Sequence, residues 1–266
     1  MSRPRWLYNL GVRLWPLGKW ANWLAGRPLV GSLLRPLFRQ EDNRALIIPV
    51  NEVVHGAESV VLPFPLLMPL VERASQRVVM SECMCRQGES CQRYPRDLGC
   101  LFLGEGAAGI DPALGRPIGV EEALAHARQA IQAGLVPLIV HAAFDAFLLG
   151  IPFHRMLAIC FCCDCCCTVR QCLRLGPPLF WEAVIRLPGL TVTAGPGCSG
   201  CGECLELCHV RAISLDDGHA VIGQHCKGCG RCAAACPVGA IRMQLADGAD
   251  VLGRLLALVD ERTEIH

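Results

Sequence analysis

The run Cys198-Ser199-Gly200-Cys201-Gly202-Glu203-Cys204-Leu205-Glu206-Leu207-Cys208 returns 28 positions later as Cys226-Lys227-Gly228-Cys229-Gly230-Arg231-Cys232-Ala233-Ala234-Ala235-Cys236. The likeness continues past each last cysteine, where Ala212 and Ile213 align with Ala240 and Ile241. A repeat this short predicts two similar supersecondary units packed face to face, because neither half alone buries a core. Between the runs, Ala212–Leu215 and His219–Ile222 flank Asp216-Asp217-Gly218, the pattern of a strand, a tight turn and a strand.

Each run sets three cysteines at i, i+3 and i+6, so a short looping backbone presents three thiolates to three corners of one iron–sulfur cubane. The fourth corner needs a distant ligand. In Cys-x-x-Cys-x-x-Cys-x-x-x-Cys runs the last cysteine lies beyond reach of its own cluster and binds the other, so the halves interlock. A structural zinc site would show two cysteine pairs separated by a longer loop instead. Gly200, Gly202, Gly228 and Gly230 sit between ligands, where the missing Cβ lets backbone N–H groups approach the cluster sulfurs.

On these residues, positions 195–245 resemble a bacterial-type ferredoxin domain with two [4Fe-4S] clusters, about a fifth of the chain. The resemblance implies Cys198, Cys201, Cys204 and Cys236 on one cluster, and Cys226, Cys229, Cys232 and Cys208 on the second. It also implies a low reduction potential and an electron-carrying role. The family usually has proline after the fourth cysteine. Pro237 fits, whereas the first repeat has His209, either a tolerated surface residue or one that tunes a cluster sulfur.

Eleven cysteines lie upstream: Cys83, Cys85, Cys91 and Cys100, then Cys160, Cys162, Cys163, Cys165, Cys166, Cys167 and Cys172. Cys160, Cys163 and Cys166 repeat the i, i+3, i+6 spacing, with Cys172 further on; Cys162, Cys165 and Cys167 form a competing register. With the first group they supply thiolates for at least one further metal centre. Against that stands the tendency of free cysteine to fill cores as a small apolar side chain. Cys83-Met84-Cys85-Arg86, Glu121-Glu122-Ala123-Leu124 and the run from Cys162 to Cys167 loosely resemble uncharacterised iron–sulfur proteins of anaerobes that end in the same ferredoxin module. That resemblance implies anaerobic redox metabolism and brings no known reaction.

The expected fold is α+β, with four parts. Residues 1–40 form a basic tryptophan-rich arm, 41–190 a mainly helical cysteine-rich domain, 191–245 the two-cluster module of small hairpins and short helices, and 246–266 a C-terminal helix. Val120 to Ala133 is the clearest helix, with Glu121 and Glu122 in its first turn and Gly134 as its stop. After Gly248 an amphipathic helix is expected through Leu252, Leu255, Leu256 and Val259. The apolar stretch from Ala133 to Cys163 carries His141, Asp145, His154 and Arg155, which favours buried core over a membrane span. Each histidine there is expected to be a satisfied core residue or a helix-end contact.

Nineteen cysteines are odd in number and partly adjacent, and no secretory signal precedes them, so free thiols in a reducing cytoplasm are expected rather than disulfides. A net charge of +1 and the lack of a DNA-reading motif give no pull toward nucleic acid. Gly104-Glu105-Gly106-Ala107-Ala108-Gly109 matches a dinucleotide fingerprint, but Asp111-Pro112 and Gly115-Arg116-Pro117 break the helix it would need, so no nucleotide cofactor is expected. Residues 1–40 hold seven basic side chains, no acidic one, and Trp6, Trp15, Trp20 and Trp23. They suit either peripheral contact with the inner face of a membrane or packing on the protein itself. Pro16, Pro28 and Pro36 exclude one uninterrupted helix.

Two functional readings follow. In the first, an electron carrier hands electrons to redox protein partners, with the module as wire and the upstream body as relay or dock. In the second, the protein is a catalytic oxidoreductase subunit whose active cluster lies upstream.

Overall fold

The computed structural model describes residues 3–25, 27, 43–50, 64–175, 182–208, 210–246 and 250–266. Pro28, Pro36, His209 and Gly248, on which parts of the sequence reading rest, lie outside the described residues.

The upstream body is built on a seven-stranded sheet in the order β4-β2-β3-β6-β5-β1-β7. Its strands are β1 (Asn43–Ile47), β2 (Arg77–Met80), β3 (Leu101–Leu103), β4 (Gly115–Pro117), β5 (Val136–Ala142), β6 (Leu157–Cys162) and β7 (Val184–Arg186). All neighbours run antiparallel except β1 and β7, which are parallel. The sequence reading of a mainly helical domain does not include this sheet. The stretch from Ala133 to Cys163 is indeed core, but it crosses the sheet twice, as β5 and β6, around helix α6 (Ala143–Leu149). Strands covered on both faces lose the in-out alternation that identifies a strand, and their continuous apolar run reads equally well as a buried helix.

Alternation along β6 decides the chemistry of the body. Phe161 meets the ring of His126 edge-on, at 5.5 Å between centroids, on the helix Val120–Gln132 (here α5). Cys160 and Cys162 therefore share the opposite side, because successive side chains of a strand alternate. Helix α5 begins and ends as its sequence predicts, with Glu121 and Glu122 in the first turn and Gly134 in the left-handed region just beyond.

The fingerprint at Gly104 forms a single 3₁₀ turn, Glu105–Gly109, followed by β4, which is not the helix that a pyrophosphate-binding turn requires. At the N-terminus Pro16 separates α1 (Arg5–Leu14) from α2 (Leu17–Ala25). These helices lean on α4 (Met84–Gly88) and α7 (Thr168–Leu175). Trp15 Nε1 donates to Thr168 Oγ1 at 3.0 Å, Tyr8 donates to Gln87 Oε1 at 3.4 Å, and Lys19 pairs with Glu89. Any Cβ at Gly88 would fall 2.4 Å from Trp15 Cβ, so a glycine there lets the arm seat.

The C-terminal part is the symmetric unit that the repeat predicts. Strands β9 (Ile213–Asp216) and β10 (His219–Ile222) form a hairpin closed by Asp217 and Gly218, with φ of 46° and 75°, the two positive angles of a type I′ turn. Strand β8 (Leu190–Ala194) pairs antiparallel with β11 (Ile241–Leu245). Helices α8 (Glu203–Leu207) and α9 (Arg231–Ala235) start after Gly202 and Gly230, whose φ values of 79° and 81° repeat the symmetry in the backbone. Helix α10 (Val251–Asp260) buries Val251, Leu255 and Val259 and is capped by the Asp250 side chain, which accepts from Gly253 N–H at 2.7 Å. The remaining helix, α3 (Phe64–Arg73), is joined to α10 by the ion pair of Arg73 with Asp260.

Candidate metal centres

In the symmetric unit the charges acting on the Cys204 thiol come from Cys198, Cys201 and Cys236. Burial first, and then Cys229, Cys226 and Cys208, push the Cys232 thiol up to about 12. The eight side chains thus fall into two groups of four, each completed by the last cysteine of the other run. Backbone N–H groups point at the sulfurs in the same symmetry. Ala212 N donates to Cys208 Sγ and Ala240 N to Cys236 Sγ, both at 3.3 Å, and Ala220 N donates to Cys198 Sγ at 3.4 Å. Burial raises the Cys236 thiol, but the N–H groups of Ile241, Ala240, Val238 and Gly239 outweigh it and hold the group below its ordinary value. Donors already aimed at sulfur favour the thiolate, which is the form that binds metal.

The two groups face different surroundings. Cys201 of the first is exposed. The second is set against the upstream body: Arg186 of β7 hydrogen-bonds Cys226, Val50 N donates to Cys229 O at 3.1 Å, and the Arg170 guanidinium acts on Cys229.

Among the described residues, one set of His, Cys, Asp or Glu side chains has ligand atoms close enough to share a single ion. Cys91, Cys163, Cys165 and Cys166 have their sulfurs within 4.8 Å of one another. Cys165 Sγ lies 3.6 Å from Cys91 Sγ and 3.5 Å from Cys166 Sγ. Tetrahedral thiolate bonds of about 2.3 Å imply sulfurs about 3.8 Å apart, so these distances suit one tetrahedral ion. Cys163 also accepts from Cys166 N–H at 3.2 Å. Burial pushes Cys165 up to about 12, while the N–H groups of Tyr94 and Arg93 overcome burial at Cys91 and lower it.

Cys160, which shares the i, i+3, i+6 spacing with Cys163 and Cys166, is not in this set. Its thiol meets Cys100 across the β3–β6 pairing instead. Cys100 in turn meets Cys83, Cys83 meets Cys85, and Cys162 meets Cys167. Cys172 sits on α7, half-buried. The sequence reading placed Cys162, Cys165 and Cys167 only in its competing register. The signal that separates them is the strand ending at Cys162, beyond which face alternation stops.

The polar residues of the apolar stretch are packed rather than poised. His141 stacks on Phe153 at 3.9 Å, and its Nε2 lies 2.9 Å from Phe153 O. The carbonyl of His154 accepts from Thr263 Oγ1 at 3.0 Å. Asp145 sits in the first turn of α6, and burial first, with the Cys83 thiol second, pushes its carboxyl up to about 7.

A family model described as a 4Fe-4S dicluster domain matches residues 197–240. No curated protein and no solved structure matches the chain. The chain therefore carries an iron–sulfur domain of the ferredoxin kind in its C-terminal part, and its many further thiols suit metal binding.

Proposed function

We propose that this is an electron-transfer protein in which two [4Fe-4S] clusters pass electrons between an outside redox protein and the upstream cysteine body. Cys198, Cys201, Cys204 and Cys236 would hold the outer cluster, and Cys226, Cys229, Cys232 and Cys208 the inner one. The observation that carries the reading is the asymmetry of the two groups, one with an exposed cysteine and the other abutting the seven-stranded sheet through Arg186, Val50 and Arg170. Cubanes with four thiolate ligands change oxidation state without binding substrate, which suits a wire. The compact site of Cys91, Cys163, Cys165 and Cys166 would hold a further single metal ion, zinc or iron. The burial of the upstream thiols favours a relay over substrate chemistry.

The arm adds a place of action. Trp6, Trp20 and Trp23 are exposed, with Leu10, Leu14 and Leu17, while Tyr8 is buried. Part of the arm is spent on packing, and these exposed aromatic and apolar side chains, with the basic character of the segment, suit an anionic bilayer surface at the cytoplasmic face. No helix among the described residues is long and apolar enough to cross a membrane.

The test is ligand replacement in anaerobically purified full-length protein, read by EPR of the reduced state. Cys208→Ser should disturb the same signal as Cys229→Ser, and Cys236→Ser the same signal as Cys201→Ser. A chain with no cubane signal would refute the reading, and a Cys208→Ser variant that alters the Cys201 signal would refute the assignment.

A further inference from the structure

We propose that the thiols of Cys83, Cys85, Cys100, Cys160, Cys162 and Cys167 bind a polynuclear iron–sulfur cluster, separate from the Cys91 site, with Arg86 as its buried counter-charge. The inference rests on the reading that this chain assembles iron–sulfur centres, and it adds a site and its cofactor class.

The six thiols form one connected group drawn from three places: the start of α4, the edge of β3, and the end of β6 with the loop that follows. Hydrogen-bonded contacts run from Cys85 to Cys83 to Cys100 to Cys160, and from Cys162 to Cys167. Cys167 is close enough to act electrostatically on Cys85 and Cys160, which joins the two chains of contact. Yet among the described residues only the Cys91 set passes the spacing of a single ion. The eight ferredoxin cysteines also fail it, and their expected partner is a cubane, which holds its ligands further apart than one ion does. No three of the six thiols pass it either, although neighbouring pairs touch, so they follow a connected path rather than close one tetrahedron, and six donors exceed the four of a tetrahedral ion.

Charge points the same way. Arg86 has no exposed surface at all. Its Nη1 donates to Phe161 O at 2.8 Å and its Nη2 to Leu98 O, while Nε has no partner among the described residues. Burial is the largest influence on the guanidinium, and after it come the thiols of Cys83, Cys100, Cys163 and Cys162. A fully buried guanidinium whose hydrogen-bond partners are two neutral carbonyls calls for a counter-charge nearby. Thiolates bound to iron give the charge its counterpart, each ligand releasing its proton as it binds. Arg170, also buried, stands by Cys167 on the far side and acts on Cys229 of the inner ferredoxin group, which places the chamber next in line to that cluster.

The chamber has a built wall. Cys85 Sγ contacts Thr168 Oγ1 at 3.4 Å, Thr168 accepts from Trp15, and the Tyr8 hydroxyl is near enough to feel Cys100, Cys83 and Cys85. The arm thus closes a site whose cofactor would be damaged by oxygen.

The experiment reconstitutes the full chain anaerobically with iron and sulfide, then counts both and records EPR and Mössbauer spectra. Wild type should hold about three or four irons beyond the ferredoxin eight and the single iron of the Cys91 site, with sulfide in excess of eight as well. Cys100→Ser/Cys160→Ser should lose that excess iron and sulfide and keep the ferredoxin signals, whereas Cys165→Ser should keep the excess sulfide. Arg86→Lys should retain the extra cluster with a shifted potential, and Arg86→Met should lose it. The inference is overturned if wild type has no sulfide beyond the ferredoxin complement, or if Arg86→Met and the double cysteine variant both keep it. Loss of the ferredoxin signals in wild type would instead sink the electron-transfer reading, so the two failures are distinguishable.

Discussion

The carboxylate of Asp164 lies 3.1 Å from the guanidinium of Arg231, with both side chains largely buried. Asp164 stands between Cys163 and Cys165 of the compact site, and Arg231 directly precedes Cys232 of the inner ferredoxin group. One ion pair therefore ties two cysteine centres to each other. Arg93, 3.5 Å from the same carboxylate, and Tyr94, hydrogen-bonded to Arg231, complete the patch.

Removing one member leaves Asp164 with Arg93 alone or Arg231 with Tyr94 alone, which costs about 1–3 kcal/mol. Asp164→Asn and Arg231→Met should each lower the denaturation midpoint. The double variant should lose less than the sum of the two, since it leaves no orphan charge. Strict additivity in the cycle would mean that the pair carries no coupling.

Arg186 offers a finer test of the inner cluster. Its guanidinium hydrogen-bonds the Cys226 thiol and lowers its tendency to hold a proton, against the rise that burial causes. A cation beside a cluster stabilises the more negative reduced state. Arg186→Gln should make the potential of one cluster more negative, by an amount on the order of tens of millivolts, and leave the other where it was. An EPR-monitored redox titration reads both. An equal shift of both, or none, would remove Arg186 from the neighbourhood of a single cluster.

How much of this was legible in the sequence depends on how local each interaction is. Cys198, Cys201 and Cys204 declare themselves because three cysteines at i, i+3 and i+6 fall within seven residues. The Asp217-Gly218 turn and helix α5 are equally local. The sheet was not legible, because β5 and β6 are covered on both faces and their apolar runs carry no alternation. The division of the upstream thiols was hidden for a related reason. Equal spacing suggested that Cys160 joins Cys163 and Cys166, but the strand through Cys162 turns Cys160 toward Cys100, and Cys91 reaches the compact site from a distant loop. Arg86 carried no signal at all until its burial among thiols was seen.

The arm separates two uses of tryptophan. Trp15 is bonded to Thr168 and packs edge-on against Phe144 at 5.6 Å, so Trp15→Ala should destabilise the body. Trp6, Trp20 and Trp23 are exposed, and their combined replacement by alanine should leave the fold intact while weakening pelleting with vesicles rich in anionic lipid. Binding should also fall as salt rises, because the arm's basic side chains act through a screened field. Equal pelleting of the triple variant and wild type would end the membrane reading and leave the arm as a wall of the body.

His141 gives the upstream body a pH dependence away from the thiols. Burial is the first cause that lowers its affinity for a proton. Its contact with Phe153 O opposes this, and the positive charges of Arg262 and His154 add to the lowering. With Nε2 facing a carbonyl oxygen, the neutral ring carries its hydrogen there, and protonation would place a second one on Nδ1, which has no partner among the described residues. His126, whose Nε2 lies 2.8 Å from Gly99 O, is lowered in the same direction, again by burial first. The sign follows from linkage. Above the unfolded histidine value of about 6.5 both states are neutral and the stability is fully present. As pH falls below it the unfolded chain takes up protons that the folded one refuses, so stability is lost until the lower folded value is passed. The denaturation midpoint should therefore drop between about pH 7.5 and about pH 6, at constant cluster absorbance. His141→Gln should be less stable at the upper pH, from lost packing on Phe153, yet show a shallower drop, and His141→Gln/His126→Gln a shallower one still. An undiminished slope in the double variant would assign the dependence to other groups.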